Sequence, residues 1–411
     1  MCWRAKFPKL SPKNWPFNVE LLPPTTCLVG GAVRDALLNR QKEYLDLDFV
    51  LPEGSIKTAK IVADLYKAGF VVLDKERQIA RVVFEGGTLD FARQEGDNLE
   101  TDLRRRDFTV NAIAYNPHCD ELIDPLGGLT DLEQRRLKMV SPINLEDDPL
   151  RLLRAYRQAA QLNFTIEETT RATIRTLAPL LGKVAAERVQ TELGYLLAIP
   201  QGSIWLSAAI EDGLLQPWLK NAQKYSLEQL TKVDSSAKLM ANTWSESLSN
   251  SLSWYSLAKL ATLVSSLPEE AESELLGLKY SRSEIKTVTT TLKYLPQLQK
   301  LTDFMSLKEQ YFLFLNVGNI FPILAVLSIA RGVDFDLITP LINRYFNPKD
   351  IVAHPQSLVR GNQLMEHLQI PPSEKIGKLI TEIQLARIEG KISTYEDALK
   401  LAEQLNLEMG K

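Results

Sequence analysis

The feature that most constrains this chain is a change of character near residue 145. Before it, short apolar runs bounded by Gly, Pro, Asp or Asn alternate with helical patterns. After it, Leu, Ala, Glu, Gln, Lys and Arg recur at spacings of three and four. Runs of the first kind read as strands, and spacing of the second kind as amphipathic helices. CLVG (27–30), LDLDFVL (45–51), FVVL (70–73), ARVVF (80–84), TLDFA (88–92) and AIAYN (112–116) are the expected strands, with helices over 32–38 and 56–68 packed on them. The expected class is α+β: an α+β head followed by a long all-helical body. No internal repeat is visible. Ser235–Ser256 is Ser-rich but keeps Leu and Trp at helical spacing, so it reads as helices with a loop. Pro348–Pro355 reads as a hinge before a last helical unit.

Composition removes several function classes. Of 411 residues, 45% are hydrophobic and 24% charged, ordinary for a soluble globular chain. A net charge of −3 excludes an overall cationic coat, so a nucleic-acid partner requires a local basic groove. Cys2, Cys27 and Cys119 have no paired spacing, and His118, His354 and His367 lie far apart. A disulfide framework, a zinc knuckle and a histidine metal site are therefore not expected. The start, MCWRAKFPKLSPKNWPF, has no apolar signal core; 1–25 reads as an N-terminal extension and the protein as cytoplasmic. The most apolar stretch, Tyr311–Ala330, contains Asn316, Gly318, Asn319 and Pro322. Two buried helices joined at Gly318-Asn319 fit it better than a membrane span.

Asp46 and Asp48 carry the chemistry. Two apart on a strand, their carboxylates share one face while Leu47 points to the other. Side-by-side carboxylates suit hard divalent cations, and two Mg²⁺ ions so placed can clamp the attacking and leaving oxygens of a phosphoryl transfer. Asp90, on the neighbouring strand, is a candidate third ligand. The competing reading is a solvated DLD at a strand end. Upstream, Gly30 and Gly31 follow a strand and open a helix carrying Arg34 and Asp35, where close backbone approach and free N–H groups suit an anion.

GGAVRD (30–35) followed by DLD (46–48) resembles the first signature of the eubacterial tRNA nucleotidyltransferases, the CCA-adding enzymes, and bacterial poly(A) polymerases, within the polymerase-β-like nucleotidyltransferases. RRDFTVNAIAYN (105–116), IDPLGGLTDL (123–132), DDPLRLLRAYRQAAQLNFTI (147–166) and ERVQTELGYLL (187–197) follow in family order. The resemblance implies a nucleotidyltransferase head over 26–140, a nucleotide-selecting neck over 141–200, a body over 201–300 and a tRNA-binding tail over 301–411. It assigns Arg105, Arg106, Asp107 and Asn111 to ribose and triphosphate binding, and Asp148 with Arg151 to reading the incoming base, with Arg154 and Arg157 on the same helix face.

The pairing has a chemical logic. Cytosine and adenine each present an amino donor beside a ring acceptor, which a carboxylate and a guanidinium match. Uracil and guanine present the reverse. Lys375 and Lys378, at a helix start after Pro371-Pro372, are candidate tRNA phosphate contacts. The implied partners are the tRNA acceptor arm, CTP and, for complete CCA addition, ATP; a monomer is expected. Only QEGDNLET (94–101) separates LDFAR (89–93) from DLRRRDF (102–108), as in CC-adding members, whereas many complete CCA-adding members carry a long loop there. Poly(A) polymerase and a catalytically silent RNA-binding relative are the alternatives.

Overall fold

The computed structural model describes residues 3–40, 44–200, 202–222, 227–244 and 252–408. The chain divides into two compact units, Met1–Pro217 and Trp218–Lys411.

The first unit opens with a helical turn, α1 (Trp3–Lys6), and is built on a seven-stranded sheet. Its strands are β1 (Cys27–Val29), β2 (Leu45–Leu51), β3 (Gly69–Asp74), β4 (Ile79–Phe84), β5 (Gly87–Arg93), β6 (Ala114–Asn116) and β7 (Glu121–Ile123), in the order β3-β4-β5-β2-β1-β6-β7. Only β2 and β5 run parallel; the other pairs are antiparallel. One face is apolar: Leu28, Leu47, Phe49, Leu51, Leu89 and Phe91 are buried on it, beneath α2 (Gly31–Leu37) and α3 (Ser55–Tyr66). The N-terminal arm packs on this face too. Trp15 and Phe17 meet Phe49 edge-on at 5.2 and 5.8 Å, and Phe49 stacks on Phe91 at 5.3 Å. The opposite face carries Asp46 and Asp48.

The expected strand over 112–116 shortens to Ala114–Asn116, because Thr109–Asn111 closes a 3₁₀ turn ahead of it. Short helices follow: α4 (Leu99–Arg104), α5 (Gly128–Glu133) and α6 (Pro142–Asp147). Then come α7 (Leu150–Leu162), α8 (Glu168–Leu177), α9 (Ala186–Leu197) and α10 (Ser203–Glu211), with α7 packed against α9 and α10. The Asp212 carboxylate, 1% exposed, ties these helices together. It accepts hydrogen bonds from Tyr156 on α7 and, at 2.7 and 2.6 Å, from Arg171 and Arg175 on α8. Burial works to raise this carboxyl, but Arg171, Tyr156 and Arg175 hold it below the usual carboxylate range. Removing one partner of such a cluster strands the others. Asp212→Ala is therefore expected to cost about 3 kcal/mol in urea unfolding, against an unchanged midpoint if the cluster is incidental.

The second unit is helical among the described residues: α11 (Leu227–Thr243), α12 (Leu252–Leu263), α13 (Pro268–Gly277), α14 (Arg282–Gln299), α15 (Leu307–Val317), α16 (Phe321–Ala330), α17 (Phe335–Phe346), α18 (Gly361–Leu368), α19 (Glu374–Ile388) and α20 (Tyr395–Glu408). The span 307–330 is long and apolar enough to cross a membrane, yet 67% of its most apolar window is buried inside the protein. Gly318 (φ 49°) breaks it into α15 and α16, the two buried helices expected, and α16 packs against α11, α12, α14 and α17. The Ser235–Ser256 reading finds α11 and α12 at its ends; 245–251 lie outside the described residues. The Pro348–Pro355 segment is a pinned turn rather than a free hinge. Asp350 accepts from Arg344 at 2.8 Å and from the Val352 and Ala353 amides at 2.9 Å. Beyond it, α18–α20 enclose a core of their own around Leu364, Leu379, Ile383, Ala398 and Ala402.

Candidate active site

Asp46 and Asp48 stand on the open face of β2, in register with Thr88 and Asp90 of β5. The Thr88 hydroxyl donates to Asp46 at 2.8 Å. Burial, then the charges of Asp46 and Asp90, push the Asp48 carboxyl up from 3.8 to about 6, against the pull of Arg106 and Arg154. A carboxylate so destabilised gains from an added cation. Its hard oxygens beside those of Asp46 are a donor set suited to Mg²⁺, with substrate phosphates completing the shell. Asp90 is placed otherwise than the sequence suggested. Both of its oxygens accept from Arg81, Nε and Nη2, at 2.7 Å each. Among the described residues, no three His, Cys, Asp or Glu side chains are grouped to hold a metal.

Gly30 ends β1 with φ 73° and ψ −140°, a conformation that side-chain-bearing residues avoid. A Cβ there would lie 3.2 Å from Arg106 Nη1 and 3.5 Å from Asp48 Oδ2. The missing side chain thus lets the Arg106 guanidinium close on the carboxylates. Arg106 bonds Asp102 at 3.2 Å, while its buried Nε has no hydrogen-bond partner. An orphaned guanidinium donor beside two carboxylates suits a phosphate oxygen. Gly31 opens α2, Arg105 pairs with Glu95, and Arg104 turns out to Glu100.

Asp107 and Asn111 are buried supports. Asp107 accepts from the Phe108 amide and Asn111 at 2.8 Å each, and from Arg154 at 2.8 Å. Burial works to raise its carboxyl, but Arg154, Asn111 and Phe108 hold it below the usual range. Asn111 accepts from Arg34 at 2.6 Å and donates to Gln158 at 2.9 Å. Arg157 is turned to Glu192 on α9 and to Gln161.

Sequence spacing put Asp148 and Arg151 on one helix face; the structure corrects this. Asp148 lies in the turn between α6 and α7, at φ −133° and ψ 89°, because the following Pro149 disfavours helical backbone before it. Arg151 stays 4.0 Å from Asp148 and is anchored by the Asn144 and Arg105 carbonyls at 2.9 and 3.0 Å. Asp148 is held by Arg188 of α9, at 3.1 and 3.0 Å to its two oxygens. Sequence reasoning missed Arg188, Gln158, Asn144 and Glu95. Arg188 lies inside the ERVQTELGYLL segment, which was its available signal.

These groups wall a strongly polar cavity of about 580 Å³ that includes Arg105, Arg106, Asp148, Arg151 and Arg188. A smaller one of about 220 Å³ shares Arg106, Asp148, Arg151 and Arg188 and adds Asp107 and Arg154. In the second unit, the Lys375 ammonium is turned to the Asn406 carbonyl at 3.0 Å, and Lys378 is exposed.

A carboxylate pair on a mixed sheet, with Arg106 between it and an arginine-walled cavity, is an arrangement suited to nucleotidyl transfer. Residues 26–138 match the poly A polymerase head domain, 163–225 the probable RNA and SrmB-binding site of polymerase A, and 250–402 the putative tRNA nucleotidyltransferase domain 2. The chain is 50% identical over 398 residues to the CC-adding tRNA nucleotidyltransferase of Synechocystis sp., covering 95% of this chain and 96% of that one. It is 31% identical to that of Geobacter sulfurreducens, covering 90% and 89%. Among solved structures, a CCA-adding enzyme in complex with ATP superposes with a TM-score of 0.74 at 20% identity, over 94% of this chain and 90% of that one. The chain belongs to the tRNA nucleotidyltransferase and poly(A) polymerase family and is an enzyme of that family.

Proposed function

We propose that this enzyme adds C residues to the 3′ end of tRNA from CTP, without a nucleic-acid template, and stops at CC. The observation that carries the reading is the Asp46–Asp48 pair beside Gly30 and Arg106, whose guanidinium also walls the cavity containing Asp148 and Arg151. Arg105, Arg106 and Arg154 would bind the triphosphate and retain the departing pyrophosphate. Asp148 would accept from the cytosine amino group while Arg151 donates to the ring nitrogen. The Asp107–Asn111–Gln158 network holds Arg34 and Arg154 in place. The tRNA 3′-oxygen attacks the α-phosphorus in line, and the bond to pyrophosphate breaks. Two Mg²⁺ ions held by Asp46 and Asp48 would supply Lewis-acid stabilisation of the attacking and leaving oxygens.

The stop at CC is supported by the connection from β5 to α4, which is short and pinned. The Glu95 amide donates to Asp102 at 3.1 Å, and the Asn98 side chain caps Thr101 at 2.9 Å. Gly96 (φ 82°) leaves no room for a Cβ, which would lie 2.4 Å from Thr101 Cγ2. A connection so tied has little freedom to remodel the base pocket from C to A. The relatives from Synechocystis and Geobacter bear CC-adding names. The proposal extends to a head over 26–140, a neck over 141–200, and a body and tail that grip the acceptor arm, in a cytoplasmic monomer that does not use ATP.

The test uses tRNA transcripts ending before CCA, after C and after CC, each with Mg²⁺ and CTP, ATP or both, sized at single-nucleotide resolution. The expected products end at CC, with no A on the third transcript. A terminal A would make the enzyme a complete CCA-adding one, and a long A ladder a poly(A) polymerase.

A further inference from the structure

On the side of Asp48 away from Arg106, the open face of the sheet continues across β5, β4 and β3. Register aligns Asp48 with Asp90, Arg81 and Val71 in one row, and Asp46 with Thr88, Val83 and Gly69 in the next. Strand spacing places Val83 about 10 Å from Asp46 and Val71 about 14 Å from Asp48. These outer positions are uncovered: Val71 is 49% exposed and Val83 39%. Between them stands the half-exposed Arg81 guanidinium, held by both Asp90 oxygens. Val71 lies on the edge strand β3 and Val83 on its neighbour β4. Exposed apolar side chains at a sheet edge are a liability that proteins usually avoid, and these share a face with the carboxylates.

We infer that Val71, Val83 and Arg81 form the platform on which the single-stranded 3′-terminal nucleotides of the RNA acceptor lie. The inference rests on the nucleotidyltransferase reading above. In-line transfer sets the attacking oxygen opposite the leaving pyrophosphate. Arg106, the candidate holder of that leaving group, stands over Gly30 beside Asp48, and the cavity it walls reaches Arg77 in the β3–β4 turn and Glu95 after β5. The sheet face away from that turn, across β5, β4 and β3, is therefore the surface beside the carboxylates left for the acceptor. A stacked run of three nucleotides covers roughly 10 Å, the distance from Asp46 to Val83. Apolar side chains accept base and ribose faces without regard to sequence, and a fixed guanidinium meets the phosphates between them. Such a surface would take the end of any tRNA.

The test compares two acceptor-stem hairpins, one with a single-stranded 3′ overhang and one trimmed blunt. Affinity is read by fluorescence anisotropy without CTP. The wild-type protein is expected to prefer the overhang, and Val71→Asp with Val83→Asp to lose roughly tenfold of that preference. Blunt-hairpin affinity, CTP affinity and melting temperature stay unchanged. Val72→Asp, on the opposite face of β3 in register with Ala80, is expected to leave the preference intact. An unchanged preference in the double variant overturns the platform. So does an equal loss in Val72→Asp, which would make the effect one of strand stability. A variant that binds as wild type but shifts a dimer to a monomer in sedimentation assigns the patch to a second copy instead. C addition by the wild-type protein tests the parent reading separately, since the binding comparison does not depend on turnover.

Discussion

Asp48→Asn is expected to abolish nucleotide addition while making the metal-free protein more stable. Losing a metal-ligating carboxylate removes several kcal/mol of transition-state charge stabilisation. At about 1.4 kcal/mol per decade, that is a fall of about a thousandfold or more. The stability gain follows from the same crowding. The Asp48 carboxyl titrates near 6 in the folded protein against 3.8 ordinarily. Between those values the folded protein binds the proton more tightly than the unfolded chain, so stability falls as pH rises through the window. Up to about 3 kcal/mol is missing at neutral pH. An amide at this position carries no such penalty. The variant should melt higher than wild type at pH 7, with a flatter stability profile between pH 4 and 6, and should gain nothing from added Mg²⁺. Near-normal incorporation, or an unchanged pH profile, would sink the assignment of Asp48.

Asp148→Ala is expected to relax the choice of C over U by roughly tenfold to a hundredfold, the worth of one bidentate base contact, with the fold intact. Arg188→Ala should move in the same direction by a smaller step. Its guanidinium, bonded to both Asp148 oxygens, fixes a carboxylate that lies in a turn rather than on a helix. Neither substitution touches the Asp46–Asp48 pair, so Mg²⁺-dependent stabilisation should persist in both. The measurement is single-turnover incorporation of CTP and UTP on the same transcript. A variant of Asp148 that stayed faithful to C would remove this residue from base reading.

Local sequence determined a large part of this protein. A short apolar run marks β2 at the bounds the structure shows, and Asp46 and Asp48 then share one face because side chains on a strand can only alternate. Gly318 breaks an apolar run into two core helices. The carboxylate pair, the glycine turn and the arginine-rich segments were all legible, since each depends on neighbours within a few positions.

What only the tertiary structure decided was the pairing between segments distant in sequence. The turn at Asp148 could be read from Pro149, but nothing local says that its carboxylate answers to Arg188, 40 residues on. Asp90 lies in register with Asp48, yet its oxygens go to Arg81, and that choice depends on β4 lying beside β5. The edge position of β3, and with it the exposure of Val71, follows from a strand order that no single segment encodes. Charges and apolar surfaces find partners by distance in space. The order in which the sheet assembles sets those distances, and the sequence specifies that order only through the whole of its packing.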